Sequence, residues 1–233
     1  MVRLDFQGMS SREVNKKLKE VIQSEREIEV VNPHSMHNFA TALIGRATIT
    51  VHGSTGFYTG GFLDGPALIV KGNTGWYTAD NMSSGEIIIE MNTGSNAGPS
   101  MLGGTLLIKG NSGSRVGYGM KGGNLIVCGN VGRWLGQMTL GGRIIVFGEV
   151  GEGVGESVYN GVIHVLDQGV EEKLGGNVRV IPIEDQEKKE VEVLFKKYGI
   201  ERGVDDFRSV VPKTYGRHEY VLFKPTHKKT VLA

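Results

Sequence analysis

Three glycines spaced G-x-x-G-x-x-x-G recur along the middle of the chain at a fixed interval of 19 residues. The complete triplets are Gly53/Gly56/Gly60, Gly110/Gly113/Gly117, Gly129/Gly132/Gly136 and Gly148/Gly151/Gly155. Two further copies, Gly72/Gly75/Ala79 and Met91/Gly94/Gly98, hold the register with one substitution each, so six successive units run without an insertion. A period in this range marks stacked coils, in which each unit buries its apolar face only against its neighbours. Each copy follows a short apolar run, from Ile49-Thr50-Val51 and Leu68-Ile69-Val70 to Ile144-Ile145-Val146, and Ile163-His164-Val165 extends the series to a seventh.

A unit of 19 residues is too short for a helix pair, and its Ile/Leu/Val runs bounded by Gly and Asn have strand character. Strands that pair with their counterparts one coil up and down lie about 4.8 Å apart, so seven coils make a stack of roughly 34 Å. The predicted class is all-β: a right-handed parallel β-helix of about seven coils, flanked by short terminal helices. The glycines then serve a turn repeated in every coil, where φ > 0 or a bare backbone is required.

Aligning the coils by 19 residues turns the chain into columns. Leu63, Met82, Met101, Met120, Thr139 and Val158 form one, and Thr59, Thr78, Ala97, Val116, Leu135 and Val154 another. Both read as interior fill, with Met as gap-filler rather than a soft-metal site. Ser54, Asn73, Asn92, Asn111, Asn130 and Glu149 form a third, read as an Asn ladder tying the stack together rather than a polar active site.

If the first and third residues of each run point inward, the middle one points outward, yet that column is Thr50, Ile69, Ile88, Leu107, Ile126, Ile145. A strand apolar on both faces is covered on both faces, so the terminal segments or another protein must lie on this stripe. Ser10 with Glu13 makes a capping box, and Val14, Leu18, Val21 and Ile22 follow at helical spacing, predicting an amphipathic helix from Ser11 to about Gln23. Asp185 can cap a second helix with the stripe Val191, Leu194, Phe195 and Tyr198, stopped by Gly199. Both are candidates to cover the stripe. From Arg208 onward, Lys213, Arg217, Lys224, Lys228 and Lys229 against Glu219 read as a basic extension. The divisions are therefore a strand and helix flank over 1–31, the repeat β-helix over 32–183, and a helix with a basic tail over 184–233.

Charge and composition remove several function classes. Lys+Arg 26 against Asp+Glu 25 gives no field to attract nucleic acid or an anionic membrane. No apolar run approaches the roughly 20 residues of a membrane span, and Met1 to Gly8 lacks the apolar core of a signal peptide, so the expected location is the cytoplasm. The lone Cys128 forms no internal disulfide and cannot ligate an iron–sulfur cluster by itself. Its column also carries His52, Lys71, Glu90, Lys109 and Phe147, which suggests a solvent-facing or edge position rather than a nucleophile.

Motifs that suggest chemistry are each outweighed by a plainer reading. Gly117-x-Gly119-x-x-Gly122 matches a dinucleotide fingerprint but lies inside a coil, without the strand and helix that the fingerprint needs. His34-x-x-His37 could offer two imidazoles to a metal, but the pair falls one period before Gly53 and Gly56 and reads as an atypical first coil and cap. The acids Asp64, Asp80, Glu86, Glu90, Glu149, Glu152 and Glu156 are scattered, with no close pair for glycoside chemistry. Phe57, Tyr58, Phe62, Trp76 and Tyr77 gather in the first two full coils, as end-capping core or as a partner surface. No catalytic, cofactor-binding or metal-ligating residue is assigned.

The G-x-x-G-x-x-x-G repeats, strings such as Gly104-Thr-Leu-Leu-Ile-Lys-Gly-Asn-Ser-Gly and Met120-Lys-Gly-Gly-Asn-Leu-Ile-Val, and Phe207-Arg-Ser-Val-Val-Pro212 together resemble the C-terminal domain of the glutamate synthase large subunit. Gly8-Met-Ser-Ser-Arg-Glu-Val14 and Asn32-Pro33 with His37-Asn38 are similar to the stand-alone versions of that domain, found in split glutamate synthases and in N-methylglutamate synthase. The resemblance implies a right-handed β-helix without catalytic residues, which buttresses a glutaminase and an FMN-containing synthase in nitrogen metabolism. FMN and iron–sulfur centres are then expected on partner subunits, with none in this chain, and the chain alone is expected to be inactive. Consistent with that, it starts Met-Val rather than with a cysteine nucleophile. The same domain type also occurs as a subunit of formylmethanofuran dehydrogenase, which is the alternative. A self-associating scaffold and an independent carbohydrate-active β-helix enzyme are further options.

Overall fold

A computed structural model describes residues 1–215 of the chain. It is a parallel β-solenoid of about seven turns with the 19-residue period. Strands β1 (Val2–Asp5), β2 (Glu27–Val31), β3 (Thr48–His52), β4 (Ala67–Val70), β5 (Glu86–Ile89), β6 (Thr105–Ile108), β7 (Asn124–Val127), β8 (Leu140–Val146) and β9 (Asn160–Val165) form a parallel ladder in chain order. Two more, β10 (Val178–Pro182) and β11 (Arg208–Pro212), close the sheet antiparallel in the order β9-β11-β10. On another side of each coil a second, shorter row of parallel bridges runs Thr74, Thr93, Ser112, Val131, Val150.

The register follows the period. Ile49 pairs with Leu68, Leu68 with Ile87, Ile87 with Leu106, and so on to Ile163, and every one of these side chains is buried. Both predicted interior columns are buried from Leu63 to Val158 and from Thr59 to Val154. Hydroxyls inside the core find partners locally: Thr59 Oγ1 donates to the Gly56 carbonyl (2.9 Å), and Thr78 Oγ1 to that of Gly75 (3.1 Å). Each would otherwise cost the desolvation of an unpaired polar group.

The glycines of the repeat answer two different demands. At Gly75 an added Cβ would lie 2.7 Å from the Gly56 carbonyl carbon and 2.8 Å from the Phe57 nitrogen, so the coils stack too closely for any side chain there. At Gly136, φ is +67°, and a Cβ would meet Ile163 Cδ1 at 2.4 Å, inside the core. Positive φ alone does not demand glycine, since Tyr58, Tyr77, Arg115 and Trp134 adopt it in an outward-pointing column.

The Asn ladder is real and ties mainly side chain to backbone, with one side-chain bond in which Asn92 Nδ2 donates to Asn73 Oδ1 (3.2 Å). Asn73 Oδ1 accepts the Asn92 N–H (3.0 Å), Asn92 that of Asn111 (2.9 Å), Asn111 that of Asn130 (2.8 Å), and Asn130 that of Glu149 (2.8 Å). Ser54 Oγ starts the series on the Asn73 N–H (3.0 Å).

The two helices do different work. Helix α1 (Ser11–Val21) begins at the predicted capping box of Ser10 and Glu13 and buries Val14 and Leu18 in the main core, beside Phe39 and Leu43 of the first coil. Asn15 Nδ2 donates to the Asn38 carbonyl (2.7 Å), and Asn15 Oδ1 accepts the Thr41 N–H (2.8 Å). Thus α1 plugs the open end of the solenoid and does not lie on the outer stripe. Helix α2 (Asp185–Tyr198) covers that stripe: Val191 and Phe195 pack with Leu107, Ile126 and Ile145 in a second buried cluster, and Ile88 sits at its margin. Its N-cap is Glu184 rather than Asp185, which is the first helical residue and makes no capping bond; Gly199, at φ +63°, ends it as predicted.

The basic extension begins later than predicted, because Arg208–Pro212 is strand β11 and Lys213 Nζ donates to the Gly176 carbonyl (2.8 Å). Arg217, Glu219, Lys224, Lys228 and Lys229 lie outside the described residues.

Candidate protein-binding surface

With α2 seated on the apolar stripe, the chain itself meets the need for cover over coils β6 to β8. Thr50 and Ile69 are half-buried and lie outside that cluster. Large apolar side chains, several of them aromatic, are exposed among the outward residues after the second glycine of each coil. Phe57, Tyr58, Phe62, Trp76, Tyr118 and Met138 are exposed there, Phe62 and Trp76 by 55% and 51%.

Stacking orders these rings. Phe57 and Trp76 lie face to face with centroids 5.6 Å apart, and Tyr58 and Tyr77 at 4.8 Å and 6° between planes. His37 joins the first stack, 4.6 Å from Phe57, and its Nδ1 accepts the Phe57 N–H (2.9 Å). The first coil therefore runs at a spacing of 20 rather than 19 residues at His37, placing this ring in the aromatic column instead of the glycine column. His34 turns elsewhere, with Nε2 at 2.7 Å from Gln7 Oε1. The histidine pair is not brought together, and the described residues contain no cluster of three or more His, Cys, Asp or Glu able to hold a metal.

The aromatic surface extends further along the rod than its first two coils, which is a correction to the sequence reading. Trp134 occupies the same outward column as Tyr58 and Tyr77, with the Arg115 guanidinium 4.4 Å and that of Arg133 5.0 Å from its ring centroid. Arg115 Nε donates to Gln137 Oε1 (3.1 Å), and the Tyr118 hydroxyl approaches Met138 Sδ at 3.4 Å. Together with Tyr77 and Asn96 they line an open groove of about 490 Å³. The column Tyr58, Tyr77, Asn96, Arg115, Trp134 carried this signal at fixed spacing.

A second polar site escaped the sequence reading altogether. His164 occupies the outward column where its predecessors are Ile and Leu, and it is fully buried. Its Nδ1 lies 2.9 Å from Ser209 Oγ on β11 and its Nε2 3.0 Å from Glu187 Oε2 on α2. Arg143 grips Glu187 with two bonds (2.7 and 3.0 Å) and reaches Glu190 as well (2.5 Å). The hydrogen bond from His164 and the Arg143 charge hold the Glu187 carboxyl down to about 2. A cavity of about 370 Å³ adjoins the network, lined in part by Arg143, Glu187, Ser209 and Tyr215. Every polar group of the network is satisfied within it, and its evident work is to fasten α2 to the sheet.

The scattered acids stay apart. Glu90 bridges Lys71 (3.4 Å) and Lys109 (2.8 Å), and hydrogen bonding from Lys109 lowers its pKa. Glu86 pairs with Lys197, Asp64 accepts from Ser84 Oγ (2.6 Å), and burial raises the pKa of Asp80. Gly117, Gly119 and Gly122 fall in the turns of one coil, as its stacking requires, and not between a strand and a helix. Cys128 takes the edge position: it is half-buried at the margin of the cluster under α2, and burial pushes its thiol pKa up. No helix among the described residues is long and apolar enough to cross a membrane.

Comparison with curated proteins returned no match. The family model described as the GXGXG motif matches residues 9–215, from the start of the plug helix through β11. The chain belongs to the GXGXG motif family.

Proposed function

We propose that this chain is a structural and coupling subunit of a glutamate synthase type complex, docking a glutaminase-type and an FMN-synthase-type subunit without contributing catalytic residues. The observation that carries the reading is the family match over residues 9–215, the stretch that resembles the C-terminal domain of the glutamate synthase large subunit. The geometry adds a means. A solenoid plugged at one end by α1 and clamped on its outer face by α2 is a rigid spacer, and it displays Trp, Tyr and Arg side chains of the kind that anchor protein interfaces. In this reading FMN and any iron–sulfur centre sit on the partner subunits, and the amino group passes between them while this chain fixes their separation.

The carbohydrate-active reading is less well supported. Sugar binding to aromatic platforms uses ring faces, whereas Phe57/Trp76 and Tyr58/Tyr77 spend theirs on each other, and the acids lie in separate local contacts.

Reconstitution tests the proposal. The purified chain, mixed with purified glutaminase-type and flavin-synthase-type subunits, is expected to form a complex and to raise glutamine-dependent glutamate formation, with no turnover by itself. Turnover by the chain alone overturns the reading, as does a stable complex with molybdopterin or tungsten enzyme subunits instead.

A further inference from the structure

We infer that the groove lined by Arg115, Tyr118 and Met138, with Trp134 under the Arg115 guanidinium beside it, is the docking site for an acidic segment of a protein partner; the inference rests on the docking reading above and gives it a location and a chemistry. Three observations carry it.

First, Tyr77, Asn96, Arg115, Tyr118, Gln137 and Met138 line an open groove of about 490 Å³, and half-buried Trp134 continues the Tyr77, Asn96, Arg115 column past it while Trp76 is exposed in the adjacent column. Rings on a rigid backbone lose little conformational entropy when a partner covers them.

Second, the cations here are held but not neutralised. Arg143 and Arg208 each pair with a carboxylate. Arg115 and Arg133 have no carboxylate partner among the described residues and are gathered instead over the Trp134 ring at 4.4 and 5.0 Å. Glu152, in the next coil, offers only its backbone carbonyl to Trp134 N–H (2.8 Å) and forms no ion pair with Arg133. A guanidinium has five N–H donors, and among the described residues Arg115 uses only Nε in a hydrogen bond. A partner that buried these arginines without supplying carboxylates would leave their charges unpaired in the interface, which opposes binding.

Third, the stacked rings each spend a face on the other, which leaves their edges available to a partner. A ring edge carries the positive part of the aromatic quadrupole, so these stacks favour carboxylate oxygens over cations. Apolar contact, edge polarity and unpaired arginines all select the same partner chemistry: carboxylates interspersed with apolar side chains.

The experiment measures affinity between the full-length chain and each purified candidate subunit, glutaminase-type and synthase-type, at low and high salt. The double variant Arg115→Glu/Arg133→Glu is compared with Arg12→Glu/Lys17→Glu on α1, which changes net charge equally; Arg12, Lys17 and Arg133 are exposed and Arg115 is half-buried, and circular dichroism checks that both variants keep the fold. The expected result is a complex weakened about tenfold or more by the groove variant, weakened by salt, and unaffected by the α1 variant. A wild-type complex that keeps its affinity in the groove variant overturns this inference and leaves the docking reading standing. No complex with either subunit overturns both. A homodimer that the groove variant dissolves, without a heterologous complex, overturns the acidic partner in favour of a second copy.

Discussion

His164 Nε2 and Glu187 Oε2 lie 3.0 Å apart, joining a fully buried ring on β9 to the first turn of α2. With Ser209 on β11 and Arg143 on β8, this bond is the polar rivet in an otherwise apolar seam between helix and sheet. The Glu187 carboxyl is held near 2 against its ordinary 4.5. A carboxylate with a depressed folded-state pKa contributes stability that is complete above the unfolded value and disappears as pH falls through the folded one. The wild-type chain is therefore expected to lose on the order of 2 kcal/mol from this group between pH 4.5 and about 2. Glu187→Gln keeps the shape and an acceptor while removing the charge. Urea melts should show it about 2 kcal/mol less stable at neutral pH, with the difference closing toward pH 2. A difference that stayed constant across that range would mean that the charge plays no part.

The glycines differ in what they tolerate. Gly75→Val puts a side chain 2.7 Å from the backbone of the preceding coil, which cannot move without unpairing the stack. It is expected to cost more than about 3 kcal/mol and to appear largely as insoluble protein. Gly176→Ala is the counterpart: nothing lies within 4 Å of its added Cβ and its φ is not positive, so its stability should stay within about 0.5 kcal/mol of the wild type. Thermal denaturation of the two variants, prepared in parallel, decides the matter.

In the asparagine ladder each side chain serves the N–H of the next coil, so one deletion leaves one orphan. Asn111→Ala removes the acceptor of the Asn130 N–H (2.8 Å) at an exposed position where water substitutes in part. The expected loss is about 1 kcal/mol. Asn111→Ser should recover part of it, since Ser54 already performs this function on Asn73 at 3.0 Å. Equal melting temperatures for the Ala and Ser variants would show that the hydrogen bond is not what the column supplies.

What could be read from the chain in advance was whatever repeats. The 19-residue period set the strand register, the inward columns and the Asn ladder, because each is dictated by neighbours at a constant offset. The stripe Leu107, Ile126, Ile145 announced that something covers it, but its occupant depended on where one helix docks. The period gave no help there. Helix α1 shows the limit: its apolar face suits a sheet or an open core end equally, and only Asn15, bonded to the Asn38 and Thr41 backbone, reveals the plug. His164 and Arg143 were hidden for a related reason. Their partners Ser209 and Glu187 are 45 and 44 residues away, outside any period, and the single sign was a histidine in an apolar column. The aromatic surface was half visible, since the stacks share a column with Trp134 but Asn96 and Arg115 interrupt it.

Cys128 turns the seating of α2 into something that can be timed. The thiol is half-buried at the margin of the cluster that Phe195 and Phe207 form with Ile126 and Ile145, and burial raises its pKa. Thiolate is the reacting species, so a disulfide reagent at mildly alkaline pH should modify the native chain slowly. Unseating α2 uncovers the sulfur without unfolding the solenoid, whose main core is a separate cluster under the sheet. Glu187→Gln is therefore expected to speed modification several-fold while the sheet signal in circular dichroism stays unchanged, and Gly176→Ala should leave the rate as it is. If the reaction accelerates only when the sheet signal is lost, α2 and the solenoid unfold as one cooperative unit, and the helix is an integral layer of the fold rather than a clamp upon it.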